Sequence, residues 1–569
     1  MKITEKATFP RPDFIRENYM SLNGEWEFAL DEWTDYDLKI QVPFPYQSPA
    51  SGVNKPQEYH PVVRYRRTFC VQPDGRTVLL HFGAVDHDAE VYLNGQLLGV
   101  HSGGYTPFCF DVTDLLRNGE NELTVTARDE TRMDQVRGKQ YWGVEGFTGC
   151  HYVAVTGIWQ EVWLEFTAPD RIEAVRYTSD FDRSAVLADI TLNRPAHGKL
   201  SLQVEKDGEA VQKIELTVNG RYAHAIIRFE ECSIEDNFKL NWSPANPNLF
   251  DVTVTLQTEN GTDTVETYFG LRKISVSGDR IFLNNSQYYL RMILDQGYWK
   301  EGIYRPAEDD GFRRDVELTL ALGFNSARKH QKIEDPKYYY WADRLGLLVW
   351  GELPSFYSFT ENACTDAENT MREFIQRDFN HPCIMAWVPF NETWGLRKLL
   401  GDPRQANFAR ELYYQCKRFD PARLVSTNDG WENVYPTDIV GVHDYRGLDE
   451  GLSRYYADTS FFKTGSGRTG HPYTMPGETY GGQPVLFTEF GGRRFEDADA
   501  FLKATQKDMT YLLQTPTFCG YCYTQLTDTF QEANGLLDMD RNPKAEIETL
   551  KGLFGKNGQR YGTGSGELQ

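Results

Sequence analysis

The chain has 569 residues, with 60 Lys+Arg against 82 Asp+Glu and a formal charge of -22. Acid in excess along the whole sequence, without a basic block, argues against a nucleic-acid or anionic-membrane binder. The length exceeds what one hydrophobic core organises and predicts two to four domains.

The first residues, Met1-Lys-Ile-Thr-Glu-Lys, lack the basic, apolar and small-residue order of a secretory signal, and no apolar run reaches bilayer-spanning length. A soluble, cytoplasmic protein is the expectation. Nine cysteines without a repeated spacing predict reduced thiols. Cys519 and Cys522 form a C-x-x-C inside an extended stretch, away from the helix N-terminus that would activate a thiolate.

Up to about residue 170 short alternating strands follow one another, as in Thr77-Val-Leu-Leu-His-Phe and Asn121-Glu-Leu-Thr-Val, and Asn94-Gly95 marks a hairpin. This predicts an all-β sandwich in which Trp26, Trp159 and Trp163 are core residues, while a loop such as His101-Ser-Gly-Gly-Tyr-Thr reaches out. Residues 171–275 read as a second, immunoglobulin-like sandwich, with Ala185-Val-Leu-Ala-Asp-Ile and Lys199-Leu-Ser-Leu-Gln-Val as strands.

Beyond Gly270-Leu-Arg-Lys, short apolar strands alternate with amphipathic helical stretches, the pattern of a parallel α/β fold. The strand candidates are 288–294, 325–328, 347–353, 384–390, 424–427, 439–443, 485–490 and 520–524. Eight such strands predict a closed (β/α)8 TIM barrel. A Gly/Tyr-rich loop, 446–483, is placed over the C-terminal face of the barrel, and the Gly-rich end, 556–569, reads as a disordered tail.

Barrel chemistry sits at the C-terminal ends of the strands. The fourth strand runs into Asn391-Glu392-Thr-Trp394, the seventh into Glu489, the third into Glu352 and the second into Arg328-Lys-His330. A carboxylate after a run of apolar residues is costly to bury without a partner. Glu392 and Glu489, across the barrel mouth from each other, suit glycoside hydrolysis, which needs one acid for the leaving oxygen and one carboxylate at the anomeric carbon. Asp295, Trp299, His330, Glu352, Trp394, Asp429, Trp431 and His443 surround them as candidates for binding sugar hydroxyls or ring faces. His330 and His443 stand on different strands without a close second ligand pair, so neither a metal nor a cofactor is expected.

The sequence resembles glycoside hydrolase family 2, the β-galactosidase/β-glucuronidase family, along essentially its whole length. The matching stretches include Ser21-Leu-Asn-Gly-Glu-Trp, Val91-Tyr-Leu-Asn-Gly, Gly157-Ile-Trp-Gln-Glu-Val-Trp, Phe269-Gly-Leu-Arg, Gly323-Phe-Asn-Ser-Ala-Arg, Asn391-Glu392 and Thr488-Glu489-Phe-Gly. The resemblance implies a jelly-roll, sugar-binding-like sandwich at 1–170, an immunoglobulin-like sandwich at 171–275 and a catalytic (β/α)8 barrel at 276–555. It implies a retaining exo-glycosidase with Glu392 as acid/base and Glu489 as nucleophile. Asn391 would hold the sugar 2-hydroxyl, and Arg328 and Tyr445 would support the nucleophile. The family more often has Asn where His443 stands.

The expected activity is β-galactosidase-like, on a glycoside or oligosaccharide, with a homo-oligomer left open. Relatives that cleave glucuronides carry Asn-x-Lys after the eighth strand, whereas Thr527-Asp-Thr-Phe-Gln-Glu-Ala-Asn-Gly-Leu lacks the lysine. Arg454 or Arg468 could replace it, so a β-glucuronide and an arabinofuranoside stay open, as does transglycosylation. The alternative from another class is a carbohydrate-binding relative without turnover, which should have lost one of the two glutamates.

Overall fold

The computed structural model describes residues 3–31, 35–130, 132–141, 149–229, 239–463, 470–494 and 497–559. In the N-terminal region a six-stranded antiparallel sheet faces a four-stranded one. Their inner faces bury Trp26, Tyr65, Leu80, Val91 and Leu123. Trp159 and Trp163 are buried outside that core, Trp159 against Tyr304 in the core shared with the barrel and Trp163 stacked on His81.

The second region is one continuous antiparallel sheet folded over itself. Ala185–Lys206 is a single 22-residue strand that pairs with Ile172–Asp180 along its first half and with Phe250–Thr258 along its second. Its register breaks between Thr191 and Ala196, around Pro195, so one strand serves both layers. Proline removes a ladder donor and lets the strand bend there. The first strand of the chain, Phe14–Ile15, pairs with Gly261–Phe269 in this second region. Arg16 beside it is buried against Asp263 at 3.1 Å and Glu165 at 2.9 Å, tying the two β-regions together.

The eight parallel barrel strands are β1 Leu290–Asp295, β2 Ser326–Lys329, β3 Leu348–Glu352, β4 Ile384–Val388, β5 Leu424–Val425, β6 Val440–His443, β7 Val485–Gly491 and β8 Phe518–Thr524. Their order is β5-β4-β3-β2-β1-β8-β7-β6. The Asp438 N–H, just before β6, donates to the Val425 carbonyl at 2.8 Å, and the Val425 N–H donates to the Asp438 carboxylate at 2.9 Å, joining the two ends. Helices α1 Gly311–Ala321, α2 Pro336–Leu345, α3 Glu361–Asp378, α4 Pro403–Phe419, α5 Glu450–Tyr455, α6 Ala498–Gln514 and α7 Ile547–Phe554 cover the outside. Side-chain caps from Asp335, Thr360, Asp402, Asp449 and Asp497 start α2 to α6. The β5–β6 connection carries no helix. It forms instead the short strand Asn428–Asp429, which pairs with Phe390–Asn391 at the mouth.

Cys519 and Cys522 are buried residues of β8, and the Cys519 thiol donates to the Asp279 carbonyl at 2.8 Å. Residues 556–559 of the expected tail pack on the barrel, where the Arg291 guanidinium donates to the Asn557 side-chain oxygen at 2.5 Å; 560–569 lie outside the described residues. No described helix is long and apolar enough to cross a membrane.

The first β-sandwich also reaches the barrel mouth. The Arg137 and Gly138 N–H groups donate to the Ser355 carbonyl at 3.1 and 3.0 Å, and the Tyr357 hydroxyl donates to the Gly138 carbonyl at 2.6 Å. The predicted loop also touches the barrel, with Thr106 donating to Glu373 at 2.7 Å and Tyr105 bonded to Tyr304 at 3.0 Å. Gly138 has φ +63°, and a methyl there would run into the Gln331 carbonyl oxygen. Gly138→Ala should therefore cost about 1–3 kcal/mol through strain and overpacking. The expected readout is a lower midpoint in thermal unfolding, together with a raised KM as the segment lifts.

Candidate active site

Side-chain direction in β2 alternates, so successive residues serve opposite sides of the sheet. Arg328 points into the barrel and is wholly buried. Its guanidinium bonds the Glu352 carboxylate, donates to Glu489 Oε1 at 2.8 Å and to Asn391 Oδ1 at 2.6 Å, and lies 3.2 Å from Asp429 Oδ2. Lys329 points outward, pairing with Asp295 at 2.8 Å and Glu334 at 2.7 Å. Asp295 and Lys329 are register partners of adjacent strands. The structure therefore places Asp295 in a charge cluster behind the barrel wall. Trp299 lies there too, beneath Lys332 and Arg541, each 4.9 Å from its ring centre, and against Phe312 of α1. These two sequence candidates are not brought to the mouth; the others are.

At the end of β4 the backbone does something the sequence does not announce. Glu392 has φ +49° and Thr393 φ +57°, two consecutive non-glycine residues in the left-handed region. Such conformations cost on the order of 1 kcal/mol each or more. The Glu392 N–H donates to the Asp429 carbonyl at 2.9 Å and the Thr393 N–H to Asn428 Oδ1 at 3.1 Å, so the β5–β6 connection holds the turn. The turn aims Glu392 across the mouth, where one of its carboxylate oxygens lies within 4.8 Å of one from Glu489.

His443 bridges the pair. Its Nδ1 lies 2.7 Å from Glu392 Oε1 and 3.6 Å from Glu489 Oε2, and its Nε2 lies 3.3 Å from Asp429 Oδ2. Burial works against its charge, but Glu489 and the bonds to Asp429 and Glu392 push its pKa up to about 10. The ring is an imidazolium at neutral pH, with both N–H groups donating. Burial also resists ionisation of Glu489, yet His443, Arg328 and the Tyr445 hydrogen bond hold its pKa down to about 2. The Tyr445 hydroxyl donates to Glu489 Oε2 at 2.5 Å. Asp429 is held below the usual carboxylate range because Arg328 and His443 overcome burial.

His330 is the opposite case. Burial, then the charges of Lys139 and Arg328, depress its pKa well below the usual imidazole value. Its Nδ1 donates to Glu352 Oε2 at 2.7 Å, which leaves Nε2 as an acceptor. Asn391 gives its side-chain oxygen to Arg328, so its amide N–H groups remain for a ligand. Trp394 stacks on His151 of the first sandwich at 5.4 Å. The overhanging loop contributes His471, stacked on Trp431 at 4.5 Å and bonded to Glu432 at 2.9 Å. Of the suggested replacement cations in that loop, Arg454 pairs with Glu450 at the surface, and Arg468 lies outside the described residues.

Glu392, His443 and Glu489 have the mutual spacing of a metal-ligand set. In the hydrogen-bonded arrangement, both His443 nitrogens carry protons directed at carboxyl oxygens of Glu392 and Asp429. The sandwich segment with Lys139 and His151 was not singled out from sequence; its only local signal is Gly138, whose positive φ permits close approach to the barrel.

Comparison with known proteins agrees with this architecture in chain order. The sugar-binding domain of glycosyl hydrolases family 2 matches residues 33–165, the family 2 domain matches 171–272 and the family 2 TIM barrel domain matches 274–491. The chain belongs to glycoside hydrolase family 2. A putative β-glucuronidase from Formosa agariphila is 25% identical over 387 residues, covering 66% of this chain and 45% of the relative. A β-galactosidase from Thermoanaerobacter pseudethanolicus is 28% identical, with 65% of this chain and 50% of that protein covered. The chain thus spans about half the length of these curated relatives. Among solved structures, a Bifidobacterium dentium β-glucuronidase superposes with a TM-score of 0.77 at 23% identity, covering 95% of this chain and 97% of that one. At that identity the similarity speaks for the fold.

The support of Glu489 by Tyr445 is directly testable. Tyr445→Phe removes a donor that favours the carboxylate, so the Glu489 pKa rises and the acid limb of the kcat/KM profile moves to higher pH. A hydrogen bond to a charged group is worth about 1.5–3 kcal/mol, so kcat should fall by roughly 10- to 100-fold.

Proposed function

We propose that this family 2 protein is a retaining exo-glycosidase that cleaves a terminal β-glycoside by double displacement. The observation that carries the reading is the approach of Glu392 and Glu489 to within 4.8 Å, oxygen to oxygen. Retaining enzymes hold their two carboxyl groups about 5–5.5 Å apart, whereas inverting ones leave about 6.5–9.5 Å for a water. The names of the relatives support the β-configuration, since they include both β-galactosidases and β-glucuronidases.

In the first step a lone pair of Glu489 forms a bond to the anomeric carbon as the glycosidic bond breaks, and Glu392 delivers a proton to the departing oxygen. The product is a glycosyl ester on Glu489 and the free aglycone. In the second step Glu392, now a carboxylate, takes a proton from water while the water oxygen attacks the same carbon and the ester bond breaks. Positive charge develops on the sugar in both transition states, and the carboxylates of Glu352, Asp429 and Glu489 gather around it. Asn391 has amide donors available for the 2-hydroxyl, and the neutral His330 offers an acceptor to another hydroxyl. The sandwich segment and His471 narrow the mouth, which favours a chain end over a chain interior.

The carbohydrate-binding alternative without turnover finds no support here, because both glutamates are present and converge on one space. Two measurements check the proposal. The anomer formed first, followed by NMR, should have the configuration of the substrate; inversion would exclude Glu489 as nucleophile. Glu392→Ala should lose far more activity on alkyl or sugar leaving groups, which need a proton, than on 2,4-dinitrophenyl glycosides, which do not. Equal losses on both would remove Glu392 as the acid.

A further inference from the structure

Among the described residues, the buried lysines have carboxylate partners, with one exception. Lys6 lies 3.0 Å from Glu266, Lys329 lies 2.8 Å from Asp295, Lys332 lies 2.8 Å from Glu334 and Lys337 lies 2.5 Å from Glu161. Lys139 is equally buried, at 7% exposure, yet among the described residues it forms neither a hydrogen bond through its ammonium nor an ion pair. What it has instead is two aromatic rings. Its Nζ lies 5.7 Å from the ring centre of Trp394 and 5.8 Å from that of Tyr152. Such contacts return about 0.5–2 kcal/mol, less than the several kcal/mol that removing an ammonium from water costs.

The position is rigid. On one side Gly138 is fastened to Ser355 and Tyr357 of the barrel. On the other, the Tyr152 N–H donates to the Lys139 carbonyl at 2.9 Å and the Tyr141 N–H donates to the Tyr152 carbonyl at 2.7 Å. The ammonium is therefore delivered beside Trp394, two residues after Glu392, rather than swinging in solvent. Its field reaches the pocket, since its charge is the largest cause after burial of the depressed His330 pKa. Among the described residues, Glu532 accepts the Tyr152 hydroxyl and Glu392 is bonded to His443 at 2.7 Å.

We propose that Lys139, between Trp394 and Tyr152, forms a subsite for an anionic substituent on the glycoside, a uronic acid carboxylate or a sulfate ester. The ion pair that Lys139 lacks among the described residues is completed by the substrate, and the two rings flank it. The charge comes from the sandwich; in the stretch after β8, Asn534 is occupied in accepting from Gln525 at 2.6 Å. This inference rests on the glycosidase reading and names its substrate class, replacing the neutral galactoside expected from sequence.

The test uses pairs of 4-nitrophenyl β-glycosides that differ only in the anionic group: galactoside against galacturonide, glucoside against glucuronide, and galactoside against its 6-sulfate. The wild type should prefer the charged member of at least one pair, and the preferred pair distinguishes carboxylate from sulfate. Lys139→Met should lower the ratio of charged to neutral kcat/KM about 100-fold, and Lys139→Arg should recover part of it. A wild-type preference for the neutral member in every pair overturns the subsite, as does a Lys139→Met variant that loses both members equally. Calorimetry with free glucuronate, galacturonate and galactose 6-sulfate reads the subsite without turnover. Binding to the wild type that Lys139→Met loses supports the subsite even if no glycoside is cleaved. Absence of binding by all three acids overturns it, and cleavage of neutral glycosides alongside that result leaves the glycosidase reading standing.

Discussion

A guanidinium with no solvent around it organises the mouth of this barrel. Arg328 touches Glu352, Asp429, Glu489 and Asn391, contributed by four other segments of the barrel. Removing a guanidinium from water costs several kcal/mol, and each carboxylate brought to it costs as much again unless it is paired. The arrangement is stable only as a whole. Each partner of Arg328 is thereby fixed in place, including Glu489, the proposed nucleophile. His443 extends the web, since its ring joins Asp429 to Glu392 and faces Glu489. Carboxylates outnumber cations here, and the residual negative potential is of the sign that stabilises an oxocarbenium-like transition state.

The same web accounts for the strained turn. Left-handed backbone at Glu392 and Thr393 is held by the Asn428–Asp429 strand, and Asp429 is in turn held by Arg328, His443 and Thr488. Gly441 of β6 leaves the room that Asp429 occupies, because a methyl there would overlap its carboxylate. The missing helix between β5 and β6 fits this role: the connection is short and lies against the mouth instead of packing outside the sheet.

Much of the site was legible because strand ends in a parallel barrel converge, so an apolar run ending in a carboxylate marks the mouth. Glu352, Glu392 and Glu489 follow that rule, and Arg328 with them. Asp295 ends a strand as well, but its side chain leaves on the outer face, where Lys329 and not a ligand is its partner. Strand-end position alone does not specify the face when the bounding residue is itself paired. Trp299 went with it, since a tryptophan reads the same whether it lines a pocket or a helix-packed wall. The fusion of two sequence segments into the single strand Ala185–Lys206 was hidden because Pro195 looks like a terminator when it is a bend.

The sequence by itself determined the succession of two β-regions and a barrel, and the placing of two glutamates at the barrel mouth, because hydrophobic period and strand-end chemistry are local properties. Tertiary structure alone decided the separation of those glutamates, the imidazolium set between them, the turn that aims Glu392 and the arrival of Lys139 from another region. Each depends on distances between residues far apart in the chain, and the electrostatic energies involved vary with distance and burial. Lys139 shows the difference most directly. In sequence it is one of 60 basic residues, and only the fold makes it a buried charge without a carboxylate partner among the described residues.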